Sequence, residues 1–260
     1  MIAFKHAGDL GDIVYSLPVV KSLCKSLGQQ AAFLIEAANY TRQMLTPDKW
    51  CGINELLMRQ PYIADVRPWI KGEPVNFNLN DFRARLFQSL KVGVGKEQHL
   101  THWMCDAHSV NRNCMDEPWL EIGDPIPVAP VIFSRAGAGR PPHQVYQNPS
   151  FPWHYVWARY RKEAVFIGTE HEHQIFCATC GEVPHCKTAT LLEAARVIAG
   201  ANLFCGNQTV THAIAEGLKK KIVLEVWLGG PNCLVFRDGV VHGWDHTVKD
   251  KLPEVELPYP

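Results

Sequence analysis

Short unbroken apolar runs alternate along the chain with longer stretches in which apolar residues recur at helical spacing. The run IAFKHAG, ending at Gly8, predicts a first strand. VYSLPVVKSLCKSLG predicts a helix closed by Gly28 as its C-terminal cap, with Pro18 within about a turn of the helix start, where a missing N–H does little harm. AAFLIEA follows as a second strand. Strand, glycine-rich turn, helix, strand is the pattern of a βαβ unit.

Further on, INELLMRQ reads as helical, VNFNLN as a strand, and FRARLFQSL as a helix carrying Arg83 and Arg85 on its polar side. Residues 91–117, rich in His, Cys, Asn and Trp, show no clear period. EPWLEIGDPIPVAP sets four prolines among turn residues and reads as a linker. Beyond it the alternation resumes. VAPVIFSRAGAGRPPH is a strand running into a small-residue loop with Arg135 and Arg140, and AVFIGTEHEHQIF is a strand that ends at Gly168 and passes through Glu170 into a helix. Thr190 followed by Glu193 has capping-box spacing, which predicts a helix from there to about Gly200. ANLFCG, NQTVTHAIAEGL and KIVLEV then supply strand, helix and strand, a second βαβ unit. The expected class is α/β, with domains at 1–125 and 126–260.

Composition narrows the functions. With 260 residues and 47% apolar content the chain can build a substantial core. Lys+Arg and Asp+Glu both number 26, so nothing in the total points to a polyanion as partner. No basic segment leads into an apolar core at the start, and no stretch reaches the roughly 20 apolar residues of a membrane span. Nine scattered cysteines read as reduced thiols, and a cytoplasmic location is expected.

Two turns carry candidate chemistry. In GDLGDIVYSLP, Gly8 and Gly11 allow a tight turn at the carboxyl end of the first strand, the edge at which open α/β sheets bind ligands. Asp9 and Asp12 stand there either as helix caps or, for one of them, as a general base. The loop Gly206, Asn207, Gln208, Thr209 lies between a strand end and a helix start, where backbone N–H groups and the helix dipole attract anions; it reads as a diphosphate site or as a polar capping loop. His212, inside that helix, is either packed or part of the site. Cys177, Cys180, His185 and Cys186 in CATCGEVPHC raise a zinc site as a competing reading.

Three segments together, LGDIVYSLPVVKSL, FIGTEHEHQIF and TLLEAARVIAGANLFCGNQTVTHAIAEGLKKKIVL, resemble the ADP-heptose:lipopolysaccharide heptosyltransferase family of GT-B glycosyltransferases. The resemblance implies two Rossmann-like domains facing across a cleft, the first binding the acceptor and the second the nucleotide-diphosphate sugar. It implies an inverting transfer without a metal or other cofactor, and it places the family's catalytic base at Asp12. Asp9 and Gly11 would meet the acceptor substrate. Gly168, Glu193, Gly206, Asn207, Gln208, Thr209 and His212 would meet the donor, with Arg135 or Arg140 as the basic residue on its phosphates. The family commonly has an aspartate where this chain has Asn207, and the proline-rich tail DKLPEVELPYP replaces a terminal helix.

Three other readings stand beside this one. A phage-type transferase would glycosylate hydroxylated DNA bases, so a nucleic acid remains among the possible acceptors beside a glycan. A GT-B nucleotide-sugar 2-epimerase would bind the donor without an acceptor, and a non-enzymatic module would bind nucleotide without turnover.

Overall fold

The computed structural model describes residues 1–36, 47–91, 95, 97–137 and 146–255. The chain divides into two compact units, Met1–Ile122 with Thr190–Leu192, and Gly123–Ala189 with Glu193–Pro260. Each holds one wholly parallel sheet, most of whose successive strands are joined through helices, the expected α/β architecture.

In the first unit the strands β1 (Ile2–His6), β2 (Ala31–Ile35), β3 (Ile63–Pro68) and β4 (Phe77–Asn78) lie in the order β3-β2-β1-β4. All five residues of β2 are buried, as an internal strand of a covered sheet requires. Phe4 of β1 pairs in register with Phe33 of β2 and with Phe77 of β4, stacking on the latter ring at 5.2 Å. The helices are α1 (Leu10–Leu27), α2 (Pro47–Met58), α3 (Phe82–Lys91) and α4 (Leu100–His108).

Helix α1 differs from expectation at its start. It begins at Leu10, so Gly11 and Asp12 belong to its first turn and Pro18 lies well inside it. Proline cannot donate to the Val14 carbonyl four residues back. The helix nevertheless continues, because Ile13, Val14, Leu17 and Val20 are all fully buried and their packing outweighs one lost hydrogen bond. Its end is as expected: Gly28, at φ 63°, donates its N–H to Cys24 O.

The unassigned stretch contains α4. Thr101 Oγ1 donates to Tyr15 O at 2.7 Å, and Tyr15 meets the His99 ring edge-on, so α4 is fastened to α1. The linker's first residues pack on the same unit. Gln60 exchanges hydrogen bonds with the Glu121 backbone, and Tyr62 donates to Trp119 O.

The second unit orders β5 (Val131–Ser134), β6 (Ala164–Phe166), β7 (Leu203–Asn207), β8 (Lys221–Glu225) and β9 (Val240–Gly243) as β6-β5-β7-β8-β9. Its helices are α5 (Trp153–Tyr160), α6 (Glu170–Cys180), α7 (Leu191–Gly200) and α8 (Val210–Gly217). Phe133, Trp153, Phe166 and Phe176 form the aromatic centre of the core, at centroid separations of 5.1–6.1 Å. The linker's second half follows α7: Arg196 Nε donates to Asp124 O at 2.7 Å, and a Cβ on Gly200 would come within 2.3 Å of Ile126 O. Strands β3 and β9 were not anticipated. No helix among the described residues is long and apolar enough to cross a membrane.

Candidate functional site

The first candidate site is built where β1 ends. The chain leaves His6, bends through Gly8 and enters α1 at Leu10, with Asp9 exposed at the N-cap position. A Cβ on Gly8 would stand 2.4 Å from His6 Cε1 and 2.9 Å from Asp12 Cβ, so only glycine lets these two side chains approach the turn. Because β4 lies beside β1 and runs parallel to it, the segment after β4 reaches the same sheet edge. It carries Arg83, whose Nη2 donates to Asp12 Oδ2 at 2.6 Å, while its Nε donates to Asn80 Oδ1 at 3.3 Å. Sequence reasoning saw Arg83 only as a polar-face residue of its helix. The signal that could have found it is strand order, which periodicity does not reveal.

The electrostatics of this turn are uneven. Burial raises the Asp12 pKa above the ordinary carboxylate value, against the opposing pull of the Arg83 guanidinium. Arg83 engages Oδ2, and Oδ1 has no hydrogen-bond donor among the described residues, which leaves an acceptor on a carboxylate of enhanced basicity. His6 is wholly buried with neither ring nitrogen hydrogen-bonded among the described residues. Burial, helped by the Arg83 charge, lowers its pKa to about 3, so it is neutral near pH 7. Asp9 makes no side-chain cap bond to α1, and Gly11 contributes backbone in the first turn.

The second candidate site lies where β7 meets α8. The expected four-residue loop is shorter, because Gly206 and Asn207 are the last two residues of β7. A Cβ on Gly206 would meet Ser134 O at 2.7 Å, so the strands approach too closely there for a side chain. Asn207 is fully buried. Its Oδ1 accepts from Ala136 N at 3.0 Å and its Nδ2 donates to Ala136 O and Tyr146 O, which fastens the chain after β5. Gln208 accepts from Trp227 N and donates to Gly230 O, holding the chain after β8. Thr209 stands at the N-cap of α8 without a side-chain cap bond, and its hydroxyl links through Thr211 to Ser134 at 2.9 and 3.0 Å. His212 is buried inside α8, and burial, with His242 and Arg237 nearby, lowers its pKa to about 3.

Other expected donor residues have structural partners. Arg135 is committed to Glu225, with Nε and Nη2 both 2.9 Å from its carboxylate oxygens. Glu225 is fully buried and also accepts from Asn148 N and Trp153 Nε1, each at 2.7 Å. This fork cannot turn to a phosphate without stranding a buried charge. Arg140 lies outside the described residues. Glu193 Oε2 accepts from Ala189 N at 2.6 Å, at the start of its own helix. A reciprocal capping box is present at Thr169 and Glu172 of α6. Gly168, at φ 151°, forms the bend before that cap.

Of the cysteine-rich zinc reading only His185 belongs to a cluster of possible ligands among the described residues, and its companions are Glu170 and His173. Cys177 Sγ lies 3.3 Å from His173 Nε2.

Two wholly parallel Rossmann-like sheets in successive units of one chain are the α/β architecture of GT-B proteins. Solved glycosyltransferases share it. A glycosyl transferase family 9 protein from Veillonella parvula superposes with a TM-score of 0.55 at 12% identity, over 93% of this chain and 84% of its own. The E. coli heptosyltransferase WaaC with ADP-2-deoxy-2-fluoro heptose gives 0.56 at 10% identity, over 93% and 92%. The iron-containing dodecameric glycosyltransferase TibC from enterotoxigenic E. coli gives 0.60 at 14% identity, over 92% of this chain and 61% of that one. At these identities the likeness is one of fold. No protein-family model matches the sequence, and no curated protein does.

Proposed function

We propose that the protein is an inverting, metal-independent glycosyltransferase of the heptosyltransferase-like kind, moving a sugar from a nucleoside-diphosphate sugar to a hydroxyl acceptor. The observation that carries this reading is Asp12: a carboxylate at the carboxyl edge of a parallel sheet, its basicity raised by burial and one oxygen anchored at 2.6 Å by Arg83. Fold neighbours solved with ADP and with ADP-heptose support a nucleotide sugar as donor.

In the proposed reaction Asp12 Oδ1 takes the proton of the acceptor hydroxyl as its oxygen forms a bond to the anomeric carbon. The bond from that carbon to the diphosphate oxygen breaks on the opposite face, and its electron pair leaves with the nucleoside diphosphate. Charge growing on that group is met by backbone N–H groups at the start of α8, near Thr209, and by the hydroxyls of Thr209 and Thr211. Asn207 and Gln208 hold this turn in place, rather than touching the donor through their side chains. The first unit thus serves the acceptor and the second the donor.

The test is release of nucleoside diphosphate from a panel of ADP-, UDP-, GDP- and CDP-sugars, in EDTA, with and without hydroxyl acceptors. Acceptor-dependent release that Asp12→Asn lowers by about 10²–10⁴-fold, with the melting temperature unchanged, is the expected result. Conversion of the donor to its 2-epimer without any acceptor would favour the epimerase, and full activity in folded Asp12→Asn would remove the base from this reading.

A further inference from the structure

The turn between β6 and α6 brings three potential metal ligands together. Glu170 is the first residue of α6 and His173 is three further on, so both project from the same side of its first turn. His185 arrives from a separate segment that runs alongside β6. Phe166 N donates to Pro184 O and Cys186 N donates to Phe166 O, both at 2.8 Å, so the backbone on either side of His185 is pinned to the sheet. One donor atom from each of Glu170, His173 and His185 lies within 4.8 Å of the others.

The hydrogen bonds around these rings are those of metal-binding histidines. His173 Nε2 lies 2.8 Å from Val183 O, and His185 Nε2 lies 3.0 Å from Gly168 O. A carbonyl oxygen only accepts, so both Nε2 atoms carry hydrogen and Nδ1 of each ring keeps the lone pair. A backbone carbonyl that fixes the tautomer and orientation of the ring is the usual outer partner of a ligating histidine. His185 Nδ1 is buried and has no hydrogen-bond partner among the described residues, and Glu170 Oε2 stands 3.4 Å from it. Ligand atoms about 2.0–2.2 Å from a tetrahedral zinc lie about 3.4 Å apart. The two rings lie nearly parallel, 12° apart with centroids at 4.5 Å, so His173 is adjacent to His185 and one ring must turn out of the stack for both lone pairs to meet a single ion.

The geometry points to a binding site for a divalent transition-metal ion, zinc by its donor set, formed by Glu170, His173 and His185 with a fourth position open to water. Lys187, now 3.0 Å from Glu170 Oε2 on an exposed arm, is the cation that the ion displaces. The metal would tie the start of α6 to the segment beside edge strand β6. This inference is independent of the transferase reading, in which no step uses a metal, and it replaces the cysteine-rich zinc set with a different one.

The full chain, stripped with chelator and dialysed, is titrated calorimetrically with Zn²⁺ and, in parallel, with Co²⁺ followed by visible absorption. One ion per chain and the ligand-field bands of low-coordinate cobalt are expected. His173→Ala and His185→Ala should each weaken binding by at least about a hundredfold, the upper end of what losing even an outer-shell partner does. Glu170→Gln, an exposed substitution that leaves the core untouched, should weaken it too and carries the test if a histidine variant fails to fold. Cys180→Ser with Cys186→Ser should bind as the unaltered chain does. Absence of binding, binding that survives the substitutions at Glu170, His173 and His185, or binding abolished in the cysteine variant would each overturn the site.

Discussion

Asp12 and Arg83 oppose each other over one proton. Burial raises the Asp12 pKa and the guanidinium lowers it, with burial the larger influence. A general base works deprotonated, so transfer should fall on the acid side as Asp12 protonates, at a pH above the usual carboxylate range. Arg83→Ala removes the lowering influence and leaves burial unopposed, so the acid limb of kcat/KM should move to higher pH; a pH–rate profile that stays in place would refute the coupling. The buried histidines act on stability. His6 and His212 are both held near pKa 3 in the folded chain against 6.5 when exposed. Between those values the unfolded chain binds more protons than the folded one, so stability rises with pH there and is lost as pH falls below about 6.5. Each such histidine contributes up to about 1.4 kcal/mol per pH unit across that window. Urea titrations at pH 5 and pH 7 should show the loss, and His6→Leu, if folded, should reduce it.

Elements were legible where their own residues carry the signal. Strands β1, β2, β7 and β8 are each built on a short apolar run, and the Gly28 cap announces the end of α1. Helix α4 was not legible because its caps are unusual: His99 Nδ1 accepts from Thr101 N at 3.1 Å, and Ser109 takes the left-handed position at φ 55°. Neither residue is the type that marks a helix boundary. His99→Ala removes the acceptor and should lower the stability of the first unit by about 1 kcal/mol, whereas His99→Asn should largely retain it; equal melting of both variants would show that the imidazole bond contributes nothing. The start of α1 was misplaced because Pro18 reads locally as an early-helix residue, and only tertiary burial carries the helix through it. The site shows the same division. Asp12 and the Gly206–Thr209 turn could be named from sequence, being local. The Asp12–Arg83 and Arg135–Glu225 pairs span 71 and 90 residues and follow from strand order, so the same reading overlooked one arginine and assigned the other to a phosphate.

At the scale of the molecule, the two parallel sheets lie in separate units, and the transferase reading assigns acceptor chemistry to the first and donor chemistry to the second. The Asp12 turn belongs to the first unit and the start of α8 to the second, so the transferase reading requires that donor binding survive the loss of the base. A nucleoside diphosphate that binds only the folded chain, at a hundred times its dissociation constant, adds about 2.7 kcal/mol. One nucleotide series, among ADP, UDP, GDP and CDP, should therefore raise the melting temperature in the presence of EDTA. Asp12→Asn should show the same rise although it transfers sugar far more slowly, because in the transferase reading the carboxylate acts on the acceptor proton and not on the diphosphate. A rise abolished by Asp12→Asn would place that carboxylate at the donor instead, and no rise with any nucleotide would remove diphosphate binding from the start of α8.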